Sequence, residues 1–268
     1  MTPVPRGLVG PPRGVAPAPT GDLDARLVVR RGAFALDLAL AVPAGRVLAV
    51  LGPNGGGKST ALAALAGLVR IDAGHVRLGA RTLADATTGV DLPPEHRRLG
   101  VLLQDVLLVP HLSARENVAF GRRAAGERAV DARRRADELL AALAVDAHAR
   151  TRAHRLSGGQ AQRVGLARTL AVEPAALLLD EPFAALDASG RTVARAVVDR
   201  YVRAAGVPAV LVTHDLADAL ALADDVVVVE HGRAVQRGTP HAVAAAPATA
   251  YVAGLVAALD GRPPGVVA

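Results

Sequence analysis

The sequence predicts an α/β fold: a mostly parallel sheet with crossover helices, an antiparallel β layer and a helical subdomain. Three observations carry the prediction. Apolar runs at Arg46–Leu51, Ala175–Leu179, Pro208–Thr213 and Val226–Val229 are separated by helix-length segments, the pattern of buried strands joined by crossovers. Residues Ala25–Val29 and Phe34–Val42 alternate well enough to be strands of an antiparallel layer. From about Val106 to Arg155 the pattern turns helical and charged.

Composition narrows the class. A chain of 268 residues can bury a sizeable core as one large domain or two closely joined ones. Apolar residues make up 51% but aromatic residues only 2%, so the core is built from Ala, Val and Leu. Aromatic stacking platforms for single-stranded nucleic acid are nearly excluded, and no nucleic-acid partner is expected. The formal charge of +6 suits an anionic surface, or simply follows from a composition rich in Arg. With no Cys there is no disulfide, thiolate metal site or thiol catalysis, which fits a cytoplasmic location.

Residues 1–22 are expected to form a disordered leader, broken by Pro3, Pro5, Pro11, Pro12, Pro17 and Pro19, with no apolar core for a secretory signal. After the two alternating strands and the run at Arg46–Leu51 comes Gly52-Pro53-Asn54-Gly55-Gly56-Gly57-Lys58-Ser59-Thr60. Lys58 is the only lysine; the other basic side chains are Arg. Arg carries the same charge in a planar fork, whereas this position holds a compact ammonium on a flexible stem. The segment fits the phosphate-binding loop, in which backbone N–H groups cradle phosphates, the Lys reaches the terminal ones and the hydroxyl holds Mg²⁺. Ser59–Leu68 then reads as a helix whose N-terminus points its dipole at the anion. His75–Gly79 adds a strand.

In the helical stretch, Arg133-Arg134-Arg135 reads as a solvated helix face, with a membrane-proximal or partner role as the other possibility. Leu156-Ser157-Gly158-Gly159-Gln160 precedes the helical run Ala161–Ala171 and offers hydroxyl, bare backbone N–H and dipole to a second anion. Two anion-binding helix starts in one chain are best reconciled by a symmetric dimer. The Ser157 loop of one subunit would then face the nucleotide on the Lys58 loop of the other. Leu177–Pro182 places Asp180 and Glu181 at the end of a buried strand, where ligand sites of parallel sheets collect. Asp180 is the expected Mg²⁺ partner and Glu181 the candidate general base for an attacking water. Ala242–Leu259 approaches the length of a membrane span, but its Ala content is weakly apolar and Pro247 interrupts it. A surface-packed terminal helix is the favoured reading.

Taken together, Gly52–Thr60, Gln104, Leu156–Gln160, Leu177–Glu181, Ala185-Leu186-Asp187 and Thr213-His214-Asp215 resemble, in order, the Walker A, Q-loop, signature, Walker B, D-loop and H-loop of the ATP-binding cassette (ABC) ATPases. The resemblance implies a P-loop NTPase core at residues 23–240, a helical subdomain at about 105–165, and a head-to-tail homodimer with ATP and Mg²⁺ at its interface. It implies that Lys58 and the amides of Gly55–Gly57 hold phosphates and that Ser59, Gln104 and Asp180 serve the metal. His214 would contact the terminal phosphate beside Glu181, Ser157 and Gly159 would close the site from the partner, and Asp187 would communicate across the interface. One departure stands out: the family usually stacks adenine on an aromatic residue ahead of the second strand, but Arg30, Arg31 and Gly32 lie there, and Phe34 is the nearest ring.

Leu92–Gly100, Leu103–Asp105, Pro110–Ser113 and Glu116–Gly121 resemble bacterial importer ATPases, most of all the molybdate and sulfate oxyanion group. The implied partners are an integral membrane permease docking on the segment after Gln104 and, indirectly, an extracytoplasmic solute-binding protein. The implied location is the cytoplasmic face of the plasma membrane. Residues 241–268 are expected to form a terminal helix and tail, ending where an accessory β domain of that group would begin. A soluble cassette protein of translation or DNA maintenance is the alternative. Such proteins usually carry two cassettes and a charged linker, or a long coiled-coil insertion, and neither is visible. A small-molecule kinase would leave the Ser157–Gln160 loop unexplained.

Overall fold

The computed structural model describes residues 21–259, so the expectation for the leader falls almost wholly outside the described residues. The chain opens with β1 (Leu23–Arg31), β2 (Phe34–Val42), β3 (Val47–Leu51), α1 (Lys58–Ala66), β4 (Ala73–Leu78), β5 (Arg81–Asp85), β6 (Val90–Asp91) and α2 (Pro94–Arg97). Next come β7 (Leu99–Leu102), α3 (Ala114–Ala124), α4 (Ala129–Ala142), two 3-10 turns and α5 (Gly158–Ala171). The remainder is β8 (Ala176–Asp180), α6 (Ala188–Ala205), β9 (Ala209–Val212), α7 (Leu216–Leu222), β10 (Asp225–Glu230), β11 (Arg233–Gly238), α8 (Pro240–Ala245) and α9 (Ala250–Leu259). Two compact units result: a sheet unit of residues 21–99, 176–181 and 206–259, and a helical unit of Gly100–Ala175 and Pro182–Ala205.

In the sheet unit the strand order is β6-β5-β4-β1-β2-β11-β10-β3-β9-β8. β3 lies parallel to β9 and β10, and β8 parallel to β9. Every residue of β3, β8 and β9 is buried, and all but Asp180 at the end of β8 are apolar, which is why these strands read as apolar runs. β1 pairs antiparallel with β2 and β4, and its buried residues alternate with exposed ones. The antiparallel strands and the parallel ones form a single sheet: β11 is antiparallel to β10 and touches β2 in parallel at Arg233 and Asp37.

α1 starts from Gly57 in a left-handed conformation and ends at Gly67, also left-handed, whose N–H donates to Ala64 O. The last carbonyls of α1 receive a cation that the sequence disguised. Arg97 sits in a run that looks like surface, yet it is 1% exposed. Its Nη1 donates to Ala64 O and Leu65 O at 3.0 and 2.8 Å, and its Nη2 pairs with Asp91 at 2.8 Å. A guanidinium at a helix C-terminus satisfies orphan carbonyls and opposes the dipole, which offsets the cost of burying it.

The helical unit corrects two details of the sequence reading. Residues 103–113 form a loop, and the first helix begins only at Ala114, where the Ser113 hydroxyl accepts from Glu116 N. In the Arg run, Arg133 and Arg134 are exposed as expected, but Arg135 is 7% exposed. Its guanidinium meets Glu138 at 3.3 Å and Glu173 at 3.4 Å. Glu173 also takes Arg122 Nη1 at 3.1 Å, while burial pushes its carboxyl pKa upward against the pull of the two arginines.

The C-terminal stretch is two helices, α8 and α9, separated around Pro247. With α7 they cover the face of the sheet at Ala49, Leu51, Val226 and Val228. No helix among the described residues is long and apolar enough to cross a membrane.

Candidate functional site

The ends of β3 and β8 place the phosphate loop and the carboxylates in one unit. Gly52 leaves β3 so close to β10 that an added Cβ would fall 2.1 Å from Val229 O. No side chain fits there, and its φ of 155° adds to the demand for glycine. The loop then turns back over its own lysine. Lys58 is buried, and its Nζ donates to Gly52 O at 2.7 Å and to Pro53 O at 3.0 Å. Desolvation lowers its pKa, and the charges of Glu181 and Asp180 work in the opposite direction. Phe34, at the start of β2, lines the same cavity as Asn54, Gly55 and Lys58 to Thr60.

Asp180 ends β8 almost buried, with Ser59 Oγ donating to its Oδ2 at 3.2 Å. Burial raises its pKa, opposed by the Ser59 hydroxyl and the Lys58 ammonium. One hydroxyl and one carboxylate oxygen at this spacing suit a hard divalent cation that takes its other ligands from water and phosphate. Glu181 follows with φ of 48°, a left-handed conformation that a residue bearing a Cβ adopts only when its surroundings impose it. Its N–H donates to Val212 O at 2.9 Å, and its Oε1 lies 2.7 Å from His214 Nδ1.

His214 is set by its two neighbours. Thr213 is fully buried, its hydroxyl donating to Asp218 Oδ2 at 3.3 Å and accepting from Asp215 N at 3.1 Å. Asp215 caps α7 through Ala217 N at 2.8 Å. The imidazole between them projects from a fixed backbone, 64% exposed. Sequence reasoning singled out His214 within Thr213–Asp215 but gave Thr213 no role as its mount and passed over Asp218, because the pairing of the two is set by the fold and leaves no periodic signal.

The remaining candidates belong to the helical unit. Gln104 lies in the loop after β7. Ser157 caps α5 in a reciprocal box: its hydroxyl accepts from Gln160 N at 3.3 Å, and Gln160 Oε1 accepts from Ser157 N at 2.9 Å. Gln160 Nε2 then meets His148 Nε2 at 3.0 Å. Gly158 and Gly159 open the helix; a Cβ on Gly159 would lie 2.9 Å from Ala185 O, so the loop needs glycine to pass that carbonyl. Asp187 accepts from Gly190 N at 2.9 Å and Ser189 Oγ at 3.1 Å, and these bonds hold its carboxyl below the usual range.

The sheet unit thus combines an amide-lined loop with an ammonium, a hydroxyl–carboxylate pair and a carboxylate–imidazole pair. These are the parts needed to hold a polyphosphate, a divalent cation and an activated water. The sequence model of the ABC transporter family matches residues 36–184.

The chain belongs to the ABC transporter family.

Within that family the cassette is 48% identical over 220 residues to the molybdenum import ATP-binding protein ModC of Mycobacterium tuberculosis, covering 81% of this chain and 60% of that one. It is 42% identical over 219 residues to the sulfate/thiosulfate import ATP-binding protein CysA of the same organism, covering 82% and 61%. With the Fe(3+) ions import ATP-binding protein FbpC of Pseudomonas fluorescens it shares 45% over 206 residues, covering 76% and 56%. The ABC chain therefore spans about three fifths of the length of these relatives. Among solved structures it superposes with a TM-score of 0.72 on a dimeric ATP-binding cassette in a post-hydrolysis state bound to ADP and Pi. That match has 25% identity and covers 81% of this chain and 98% of the other. These relatives are named as import ATP-binding proteins for molybdenum, sulfate/thiosulfate and Fe(3+) ions.

Proposed function

We propose that this chain is the ATP-binding and hydrolysing subunit of an ABC importer, with residues 23–240 as the ATP-binding domain. It would work at the cytoplasmic face of the plasma membrane as a head-to-tail homodimer on a permease fed by a solute-binding protein. The cargo proposed is an oxyanion of the molybdate or sulfate type. The observation that carries this reading is the assembly of Lys58, Ser59, Asp180, Glu181 and His214 around the strand ends of the sheet unit. The names of the importer relatives support the transport role and the class of cargo.

In this reading Lys58 exchanges its bonds to Gly52 O and Pro53 O for phosphate oxygens, and the amides of Gly55–Gly57 complete the cradle. Ser59, Asp180 and Gln104 would hold Mg²⁺, which supplies charge neutralisation on the phosphates when bound. Glu181 accepts the proton of the attacking water, and His214 orients that carboxylate. Ser157 and Gly159 of the second subunit close over the terminal phosphate, with Asp187 at the same interface.

Purification of the tagged chain from its native membranes, with and without ATP, tests the assignment. A multi-span permease is expected to co-purify; recovery of ribosomes or DNA with ATPase activity intact would transfer the cassette to a soluble role. The base is expected to lie on Phe34, the ring that lines the phosphate cavity. Phe34→Ala should raise the KM for ATP roughly tenfold, the scale of one lost base–aromatic stack, with kcat little changed. Equal KM values in titrations of both proteins would remove Phe34 from base binding.

A further inference from the structure

The cap of α5 is completed by a side chain from outside the helix. Gln160 Oε1 accepts from Ser157 N at 2.9 Å, while the Ser157 hydroxyl accepts from Gln160 N at 3.3 Å. The first of these bonds settles the amide: its oxygen faces the Ser157 N–H, so its nitrogen points the other way, to His148 Nε2 at 3.0 Å. An amide nitrogen only donates. The imidazole nitrogen opposite it is therefore the acceptor, in the tautomer that carries its proton on Nδ1.

His148 rides on a fixed segment. It ends the 3-10 turn Asp146–His148, its N–H donating to Val145 O at 3.0 Å and its carbonyl accepting from Thr151 N at 2.9 Å. Arg163, one turn along α5 from Gln160, donates to Ala144 O at 2.9 Å just before the 3-10 turn. On the far side, Ala114 N donates to Thr151 O, Arg115 N to Ala149 O and Ala153 N to Leu112 O, each at 2.9 Å, and these tie the segment to the start of α3. The turn is thus held without help from the imidazole, whose bond to Gln160 acts on the Ser157 loop instead. Gly158 and Gly159 have no side chains to fix their backbone, so the reciprocal cap sets how their N–H groups point. A glutamine anchored at both ends of its amide keeps that cap closed; one anchored at a single end regains rotamer freedom.

We infer that His148 is a positioning residue for the Ser157 loop: by accepting from Gln160 Nε2 it locks the cap in the shape that closes over the second subunit's nucleotide. This rests on the proposed dimer-closing ATPase reading. His148 acts through Gln160, and its effect is confined to the closing step rather than to nucleotide capture at Lys58.

The test uses the full chain carrying Glu181→Gln, with His148 retained or replaced by Leu, Ala or Gln. Leu and Ala remove the acceptor, Leu keeping apolar bulk and Ala adding none, whereas the Gln amide oxygen reaches about as far as imidazole Nε2. Light scattering against protein concentration in saturating MgATP gives the dimer affinity. Titration with a fluorescent ATP analogue at concentrations where the chain is monomeric gives nucleotide binding, and thermal melting reports the fold. One neutral hydrogen bond is worth roughly fivefold, and a symmetric dimer contains two such loops, so His148→Leu and His148→Ala should each weaken the dimer roughly 25-fold. Analogue affinity and melting temperature should stay at the parent's values, and His148→Gln should restore the dimer to within about threefold. A parent-like dimer in either the Leu or the Ala variant overturns the inference. So does a His148→Gln variant as weak as these two, or a loss of analogue binding and melting temperature alongside the dimer, which would make His148 a structural residue of the helical unit. If the parent with His148 intact stays monomeric in MgATP, the dimer-closing reading itself fails and the inference falls with it.

Discussion

Replacing Glu181 by Gln is expected to leave ATP binding intact, to reduce hydrolysis by roughly three orders of magnitude, and to hold the protein as a closed dimer. The amide has the shape of the carboxylate and can still bond to His214, 2.7 Å away, so the loop and its nucleotide are undisturbed. What disappears is the capacity to accept a proton. General-base contributions run at about 10²–10⁴ in rate, which sets the magnitude. Because the left-handed backbone at this residue is retained, the variant inherits no new strain. Phosphate release and light scattering with saturating MgATP would check both halves. Hydrolysis at the normal rate would place the base elsewhere, and a monomer under those conditions would end the dimer-closure model.

The second large effect is expected at Lys58. Lys58→Ala should weaken ATP binding roughly 100-fold, the order of about 3 kcal/mol for charge-assisted bonds to phosphate. Lys58→Arg should recover little of that loss. The ammonium occupies a space bounded by Gly52 O and Pro53 O at 2.7 and 3.0 Å and is 8% exposed, which leaves no room for a planar fork. Binding of a fluorescent ATP analogue to the three proteins gives the comparison. An arginine variant with full affinity would show that charge alone matters here.

Much of this architecture was legible because its signals are local. Val47–Leu51 and Ala176–Leu179 are buried on both faces, and strand segments so placed favour apolar residues. The phosphate loop was legible because Gly52 and Lys58 meet demands that no other residue types satisfy. What stayed hidden was set by tertiary context. Arg97 and Arg135 look like surface charges until the carbonyls of α1 and the carboxylate of Glu173 surround them. The loop at 103–113 contains enough Leu and Val to imitate a helix, and only its Ser113 cap marks where the helix starts. Phe34 was noticed as a ring near the loop, and the fold sets it against Gly57.

The solitary lysine has a practical consequence. A reagent selective for aliphatic amines finds a single side chain in this protein, and that side chain sits beneath the phosphate loop. Apart from the terminal α-amine, amine chemistry therefore reads out this one side chain, without mutagenesis, in a protein otherwise crowded with positive charge.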